Sequence, residues 1–178
     1  MKKCLILSLF TLLALILGAS EGLSSANAQS RTDHICLGVG YMIENMMDAT
    51  VALEHETKYH NSWEYFMSAS VKYDDCSQCG HICNESLWND YNTIGVGVAY
   101  KPCVSRGRNH HGNLRVGTSA NLSSTKSLVA GMHTGYEHSY ALRSGWNIYW
   151  QLKCDCMING RDVIRGGVAV GVKLPCGK

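Results

Sequence analysis

The chain has 178 residues, 46% of them hydrophobic, and its 16 Lys and Arg stand against 14 Asp and Glu for a net charge of +2. So even a balance gives no electrostatic reason to expect a nucleic-acid partner, and two prolines beside 18 glycines exclude a proline-rich disordered chain. Beyond the N-terminal segment no apolar run approaches the ~20 residues of a spanning helix.

Lys2-Lys3, the apolar run Leu5 to Leu17 and the small-x-small site Ala26-Asn27-Ala28 read as a secretory signal peptide. Residues 1–28 are therefore expected to be removed on export, and residues 29–178 to form one domain. Cys4 stands too early to be a lipidation cysteine after the apolar run.

Period-two alternation then recurs along the whole domain, the signature of strands. Ile35, Leu37, Val39 and Tyr41 oppose Cys36, Gly38, Gly40 and Met42. Val51, Leu53, His55, Thr57 and Tyr59 oppose Ala52, Glu54, Glu56 and Lys58, and His60-Asn61-Ser62 is a short turn. The third strand sets Trp63, Tyr65, Met67, Ala69, Val71 and Tyr73 against Glu64, Phe66, Ser68, Ser70, Lys72 and Asp74. A long connection, Asp75 to Tyr91, follows.

Strand four sets Ile94, Val96, Val98 and Tyr100 against Gly95, Gly97, Ala99 and Lys101. A basic turn from Ser105 to His111 leads to Leu114, Val116, Thr118, Ala120 and Leu122 against Arg115, Gly117, Ser119 and Asn121. Strand six spans Leu128 to Leu142, closed by the turn Arg143-Ser144-Gly145. The last two strands form a hairpin about Asn159-Gly160. Trp146, Ile148, Trp150, Leu152, Cys154, Cys156 and Ile158 share a face on one limb, as do Ile164, Val168, Val170, Val172 and Leu174 on the other.

Eight antiparallel strands of about ten residues close into an up-and-down β-barrel and match the length of a tilted membrane-spanning strand. An eight-stranded lumen is only wide enough to be filled by side chains. The face that carries the charges also carries the glycines, which suits that narrow interior. Glu54, Glu64, Lys101, Arg115, His133, Glu137, Lys153, Asp155, Arg165 and Lys173 are the expected lumen polar network, and Trp, Val, Ile and Leu would meet lipid. The fold class is an all-β, eight-stranded transmembrane barrel of the outer-membrane type. A soluble barrel would need the reverse arrangement, with an apolar centre. Aromatics gather at strand ends, with Tyr59, Trp63, Tyr65, Tyr100, Tyr140, Trp146 and Trp150 at one rim and Tyr41 and Tyr73 at the other, as interfacial girdles do. Both termini are placed on the periplasmic side.

Nine cysteines are present. Cys76, Cys79 and Cys83 with His81 among them have zinc-ligand character, but an exported chain oxidises its thiols, and disulfides are the expected fate. Cys36, Cys76, Cys79, Cys83, Cys103, Cys154, Cys156 and Cys176 are the candidates, with connectivity open. No metal or other cofactor is expected. Glu137, His138 and Ser139 invite comparison with hydrolytic barrels, but neighbours on a strand point to opposite faces, so His138 and Ser139 do not converge. Arg106, Arg108, His110, His111 and Arg115 read as a solvated basic turn, and no direct nucleic-acid binding is expected.

The layout resembles the small OmpA/OmpX-type barrels. More narrowly, Ile94-Gly-Val-Gly-Val-Ala-Tyr-Lys-Pro, the run Arg108-Asn-His-His-Gly-Asn-Leu-Arg-Val-Gly, Gly135-Tyr-Glu-His and Gly166-Gly-Val-Ala-Val-Gly-Val-Lys resemble the TraO family of conjugative transposons. The cysteine load and the ending Leu174-Pro-Cys-Gly-Lys depart from the usual barrel pattern. The resemblance implies a non-catalytic structural or accessory part of a conjugal DNA-transfer apparatus in a Gram-negative outer membrane. Its partners would be lipid and other proteins of that apparatus. The alternatives are a lipid-modifying hydrolase, which requires a His, a Ser and an acid to converge at one rim, and a soluble secreted ligand-binding barrel.

Overall fold

A computed structural model describes residues 32–43, 45–72, 92–123, 128–158 and 163–176. The signal-peptide assignment and the cluster Cys76, Cys79, His81 and Cys83 lie outside the described residues. Nine antiparallel strands follow one another in sequence: β1 (Thr32–Met42), β2 (Met46–Glu56), β3 (Ser62–Lys72), β4 (Thr93–Lys101), β5 (Cys103–Arg106), β6 (His110–Ser123), β7 (Val129–Ala141), β8 (Asn147–Ile158) and β9 (Ile164–Cys176). Each long strand pairs with its sequence neighbours, β1 pairs with β9, and β4 pairs with β6, so eight strands close a barrel without edges. β5 continues β4 beyond Pro102 as a short extension paired only with β6, with an irregularity between Cys103 and Ser105. Pro102 explains the break, because proline cannot donate to the ladder.

Burial alternates as the sequence requires, but the buried face is the polar one. Outside lie Leu37, Val39, Val51, Leu53, Met67, Ile94, Val116, Leu152, Val168 and Val170, together with Trp63, Trp146 and Trp150. Inside lie Glu54, Glu64, Lys101, Arg115, Glu137 and Lys173, each no more than 4% exposed. This inversion is the arrangement of a barrel solvated by lipid. It removes the soluble alternative, which needed the apolar groups in the centre.

The lumen is closed by fitting large rings over glycines. Phe66 on β3 sits opposite Gly97 on β4, and a Cβ at Gly97 would strike the Phe66 ring and the Thr118 carbonyl. Tyr149 on β8 lies across Gly171 of β9 and Gly38 of β1, which are themselves ladder partners. Cys36, Ala52, Phe66, Ala99 and Tyr149 thereby form a thin apolar layer within an otherwise polar interior.

We call the end that holds Thr32 and Cys176 the terminal end and the opposite end the far end. Two boundaries differ from expectation at the terminal end. β2 ends at Glu56 rather than Tyr59, because Thr57 N–H donates to Asn61 O (2.9 Å) and His60 N–H to Thr57 O (2.9 Å), forming a tight turn with His60 at φ 61°. Tyr59 therefore lies in a turn. At its other end β2 starts at Met46 rather than Val51, where Met46 pairs with Met42 of β1. β6 starts at His110 rather than Leu114, since Arg106 pairs with His111 and the hairpin tip shrinks to the residues between β5 and β6.

Candidate functional site

The polar face of six strands converges on one knot of charge. Lys101 Nζ lies 2.8 Å from Glu54 Oε2 and 2.7 Å from Glu137 Oε2, and also pairs with Glu64. Lys173 Nζ takes the other oxygens of two of these acids, Glu54 Oε1 at 2.8 Å and Glu137 Oε1 at 2.6 Å. Arg115 closes on Glu64 Oε1 through Nη2 (2.7 Å) and Nε (3.0 Å), and its guanidinium lies over the Phe66 ring. Three carboxylates thus face three permanent cations. Glu54 and Glu64 are direct partners across the β2–β3 ladder, an arrangement that repels unless a cation joins them. Lys101 is that cation.

Nearer the far end, Lys153 pairs with Asp48, which also accepts from Ser70 Oγ (3.2 Å). Asp155 holds His133 Nδ1 at 2.8 Å, and His133 Nε2 lies 2.6 Å from Ser119 Oγ. Arg165 Nη1 donates to Thr93 Oγ1 at 3.1 Å. Met42, Met46, Val129 and Met157 are buried in the same region. All ten residues of the expected lumen network are buried.

Ser119, His133 and Asp155 form a hydroxyl–imidazole–carboxylate chain, the order used to activate a serine nucleophile. The residues come from β6, β7 and β8, with His133 directly opposite Asp155. Their setting is the barrel interior rather than a rim. Ser119 Oγ also accepts from Asn121 Nδ2 at 2.8 Å, the Phe66 ring packs edge-on to His133, and all three members are at least nine-tenths buried. This chain satisfies buried polar atoms, which is what a filled lumen demands. His138 and Ser139 do part company. Ser139 is buried and donates to Glu137 Oε1 (3.4 Å), while His138 faces outward against Trp150, His110 and Tyr140.

The expected basic turn dissolves in the same way. Arg115 belongs to the lumen knot, His111 points into the terminal mouth, and His110 joins the outer aromatic cluster. Arg106 lies over the Tyr59 ring at 5.4 Å. These side chains do not present one cationic patch.

The five described cysteines are free thiols, so the expected disulfides find no pair among them. Cys36 is buried in the lumen with Sγ directed at Glu54 Oε2 (3.5 Å), whereas Cys154 is exposed on the outer face. Lumen and outer-face cysteines cannot meet across a closed sheet. Cys76, Cys79 and Cys83 lie outside the described residues.

The fold is similar to that of a major outer membrane protein from Thermus thermophilus, with a TM-score of 0.50 at 8% identity over 83% of this chain and 100% of that one. A de novo designed transmembrane β-barrel gives a TM-score of 0.48 at 12% identity over 82% of this chain and 95% of that one. At such identities the likeness is one of fold. No protein-family model and no curated protein matches the sequence, so nothing beyond the motifs themselves supports the TraO resemblance.

Beside the charged residues lie neutral ones that the sequence did not single out and that complete the bonding, Ser119, Asn121, Asn113 and Ser139. Their signal was present. Each stands on the glycine-bearing face of its strand, where any polar atom must find a partner.

Proposed function

We propose that this chain is an exported outer-membrane protein whose barrel is a closed, non-catalytic scaffold that works through the segments joining its strands. The carrying observation is the inverted polarity, with a tryptophan- and valine-rich exterior around a lumen knotted by Lys101, Lys173 and Arg115. A lumen so filled leaves no aqueous channel, as expected at this strand number. The fold likeness to an outer membrane protein supports the location.

The finer reading, an accessory part of a conjugal DNA-transfer apparatus, rests on the TraO-like motifs, among them Ile94 to Pro102 and Gly166 to Lys173. Those motifs lie on strands that form the barrel wall. An in-frame deletion in a donor strain tests this reading. Mating frequency is expected to fall and to recover when the full chain is supplied in trans. Unchanged transfer on deletion would remove the conjugal role and leave the barrel assignment untouched.

A further inference from the structure

Two lumen carboxylates have imidazoles rather than lysine or arginine at ion-pair distance among the described residues: Asp155, which meets His133, and Glu56, which meets three. Glu54, Glu64 and Glu137 are answered by Lys101, Lys173 and Arg115, and Asp48 by Lys153. Glu56, at 6% exposure, has no lysine or arginine at ion-pair distance among the described residues. It meets imidazoles instead. His34 Nε2 is 3.2 Å from Oε2, His60 Nδ1 closes on Oε1, and His111 Nε2 is 4.0 Å from Oε1. Lys173 acts on Glu56 from beyond ion-pair distance but is bonded to Glu54 and Glu137, so the charge of this buried carboxylate is only partly answered. The His60 and His111 rings are stacked beside it with centroids 4.4 Å apart and planes 11° apart.

A divalent ion would neutralise the carboxylate while taking imidazole nitrogens as ligands. We propose that Glu56, His60 and His111 form a transition-metal site of the zinc class at the terminal mouth of the barrel. Their ligand atoms all lie within 4.8 Å of one another. Two imidazole nitrogens and one carboxylate oxygen form a set zinc accepts, with a fourth position left for water or an incoming group.

The surroundings are built for it. His34, itself 5% exposed, holds the second oxygen of Glu56 and so fixes the orientation of the carboxylate, and its Nδ1 has no hydrogen-bond partner among the described residues. A partner on the second oxygen of a ligating carboxylate is a recurrent feature of metal sites. Asn113 Nδ2 donates to the backbone oxygen of His60 at 2.6 Å, which ties the β2–β3 turn to the strand that carries His111. His60 occupies the left-handed position of that turn, and its side chain is 41% exposed. It can therefore rotate out of the stack to bring its nitrogen into the plane of a bound ion. The other close group of acids, Glu54, Glu64 and Glu137, has no such vacancy, since the Lys101 ammonium already lies among them.

Zinc titration of the barrel folded in detergent micelles, in competition with a chromophoric chelator, tests the site. The chain carries serine in place of Cys76, Cys79, Cys83, Cys103, Cys154, Cys156 and Cys176, so that accessible thiols cannot contribute a second site. One zinc per barrel is expected, with affinity weakened at least about tenfold by Glu56→Gln and by His111→Gln, the loss typical when a metal site loses a supporting group. His138→Gln, which removes an outward-facing imidazole, is expected to leave the affinity unchanged. Absence of bound zinc in the folded barrel would overturn the proposal, as would equal affinity in Glu56→Gln and His138→Gln. Should Glu56→Gln fail to fold, His60→Ala in the exposed turn is read by the same criterion.

Discussion

Lys101 and Lys173 share the same two carboxylates. Each lysine takes one oxygen of Glu54 and one of Glu137, so β2, β4, β7 and β9 are joined through a closed ring of ion pairs at the barrel's centre. The residues are far apart in the chain, with Lys173 separated from Glu54 by 119 positions. The ring can therefore form only when the barrel closes, and it fixes the register of strands that alternation alone would leave free to slip by two residues.

Breaking the ring at one member is expected to be severe. Lys101→Met leaves Glu54 and Glu64 facing each other without their shared cation, and removing one partner of a buried pair costs roughly 3–5 kcal/mol. Urea unfolding of the barrel in micelles, followed by intrinsic tryptophan fluorescence, measures this. The double variant Lys101→Met with Glu64→Gln should recover part of the loss. A single-variant cost near zero would mean that the ring does not contribute to stability.

The glycines beneath the two lumen rings give a second, purely steric prediction. Gly171→Val places branched carbons against the Tyr149 ring and the Leu37 carbonyl, and backbone cannot yield as a flexible side chain can. Overpacking of this kind typically costs about 1–3 kcal/mol. Shortening the ring as well, in Gly171→Val with Tyr149→Ala, should not restore stability, because the Leu37 carbonyl still opposes the new side chain. A full rescue would mean that the clash lies with the ring alone.

The outer face should respond to charge according to depth. Met67 stands midway along β3 and is 50% exposed, whereas Ile43 lies just past the end of β1. Met67→Arg is expected to destabilise by about 2–4 kcal/mol and Ile43→Arg by about 0–1, the pattern for lipid-facing positions at the midplane and near an interface. Folding yield into phospholipid vesicles against urea reports the difference. Equal small effects would indicate that this face meets water.

Thiol chemistry separates the two faces of the sheet. A membrane-impermeant maleimide should leave Cys36 unmodified in the folded barrel and label it after heat denaturation, because its Sγ is enclosed beside Glu54. Mass spectrometry of the digested protein reads the site directly. Rapid labelling of Cys36 without unfolding would contradict a filled lumen.

Much of this architecture is legible in the chain because a strand places alternate residues on opposite faces, and here one face carries both the glycines and the charges. That coincidence locates Lys101, Arg115 and Lys173 inside, and Val168 and Val170 outside. Pairing within the lumen is not legible, since strand alternation says which way Lys173 points but not that it will reach Glu54. The Ser119–His133–Asp155 chain escapes because a serine among glycines carries no charge to mark it. His111 departs from expectation for a different reason. Its neighbours Arg106, Arg108 and His110 suggest a solvated turn, whereas the β5–β6 pairing extends β6 through His111 and turns it inward. Only that extension brings it beside Glu56 and His60. Free thiols at Cys36, Cys103, Cys154, Cys156 and Cys176 are likewise beyond sequence, because the compartment argument gives the redox state but not the distance between sulfurs.

The central claim is an inside-out barrel whose apolar exterior needs lipid. Its most direct test is electrophoretic mobility with and without heating, on outer membranes separated from cells that express the full chain. The account predicts recovery in the outer-membrane fraction and a faster-running unheated band that shifts to the mass of the extended chain on boiling. A freely soluble protein with one heat-independent band would contradict it.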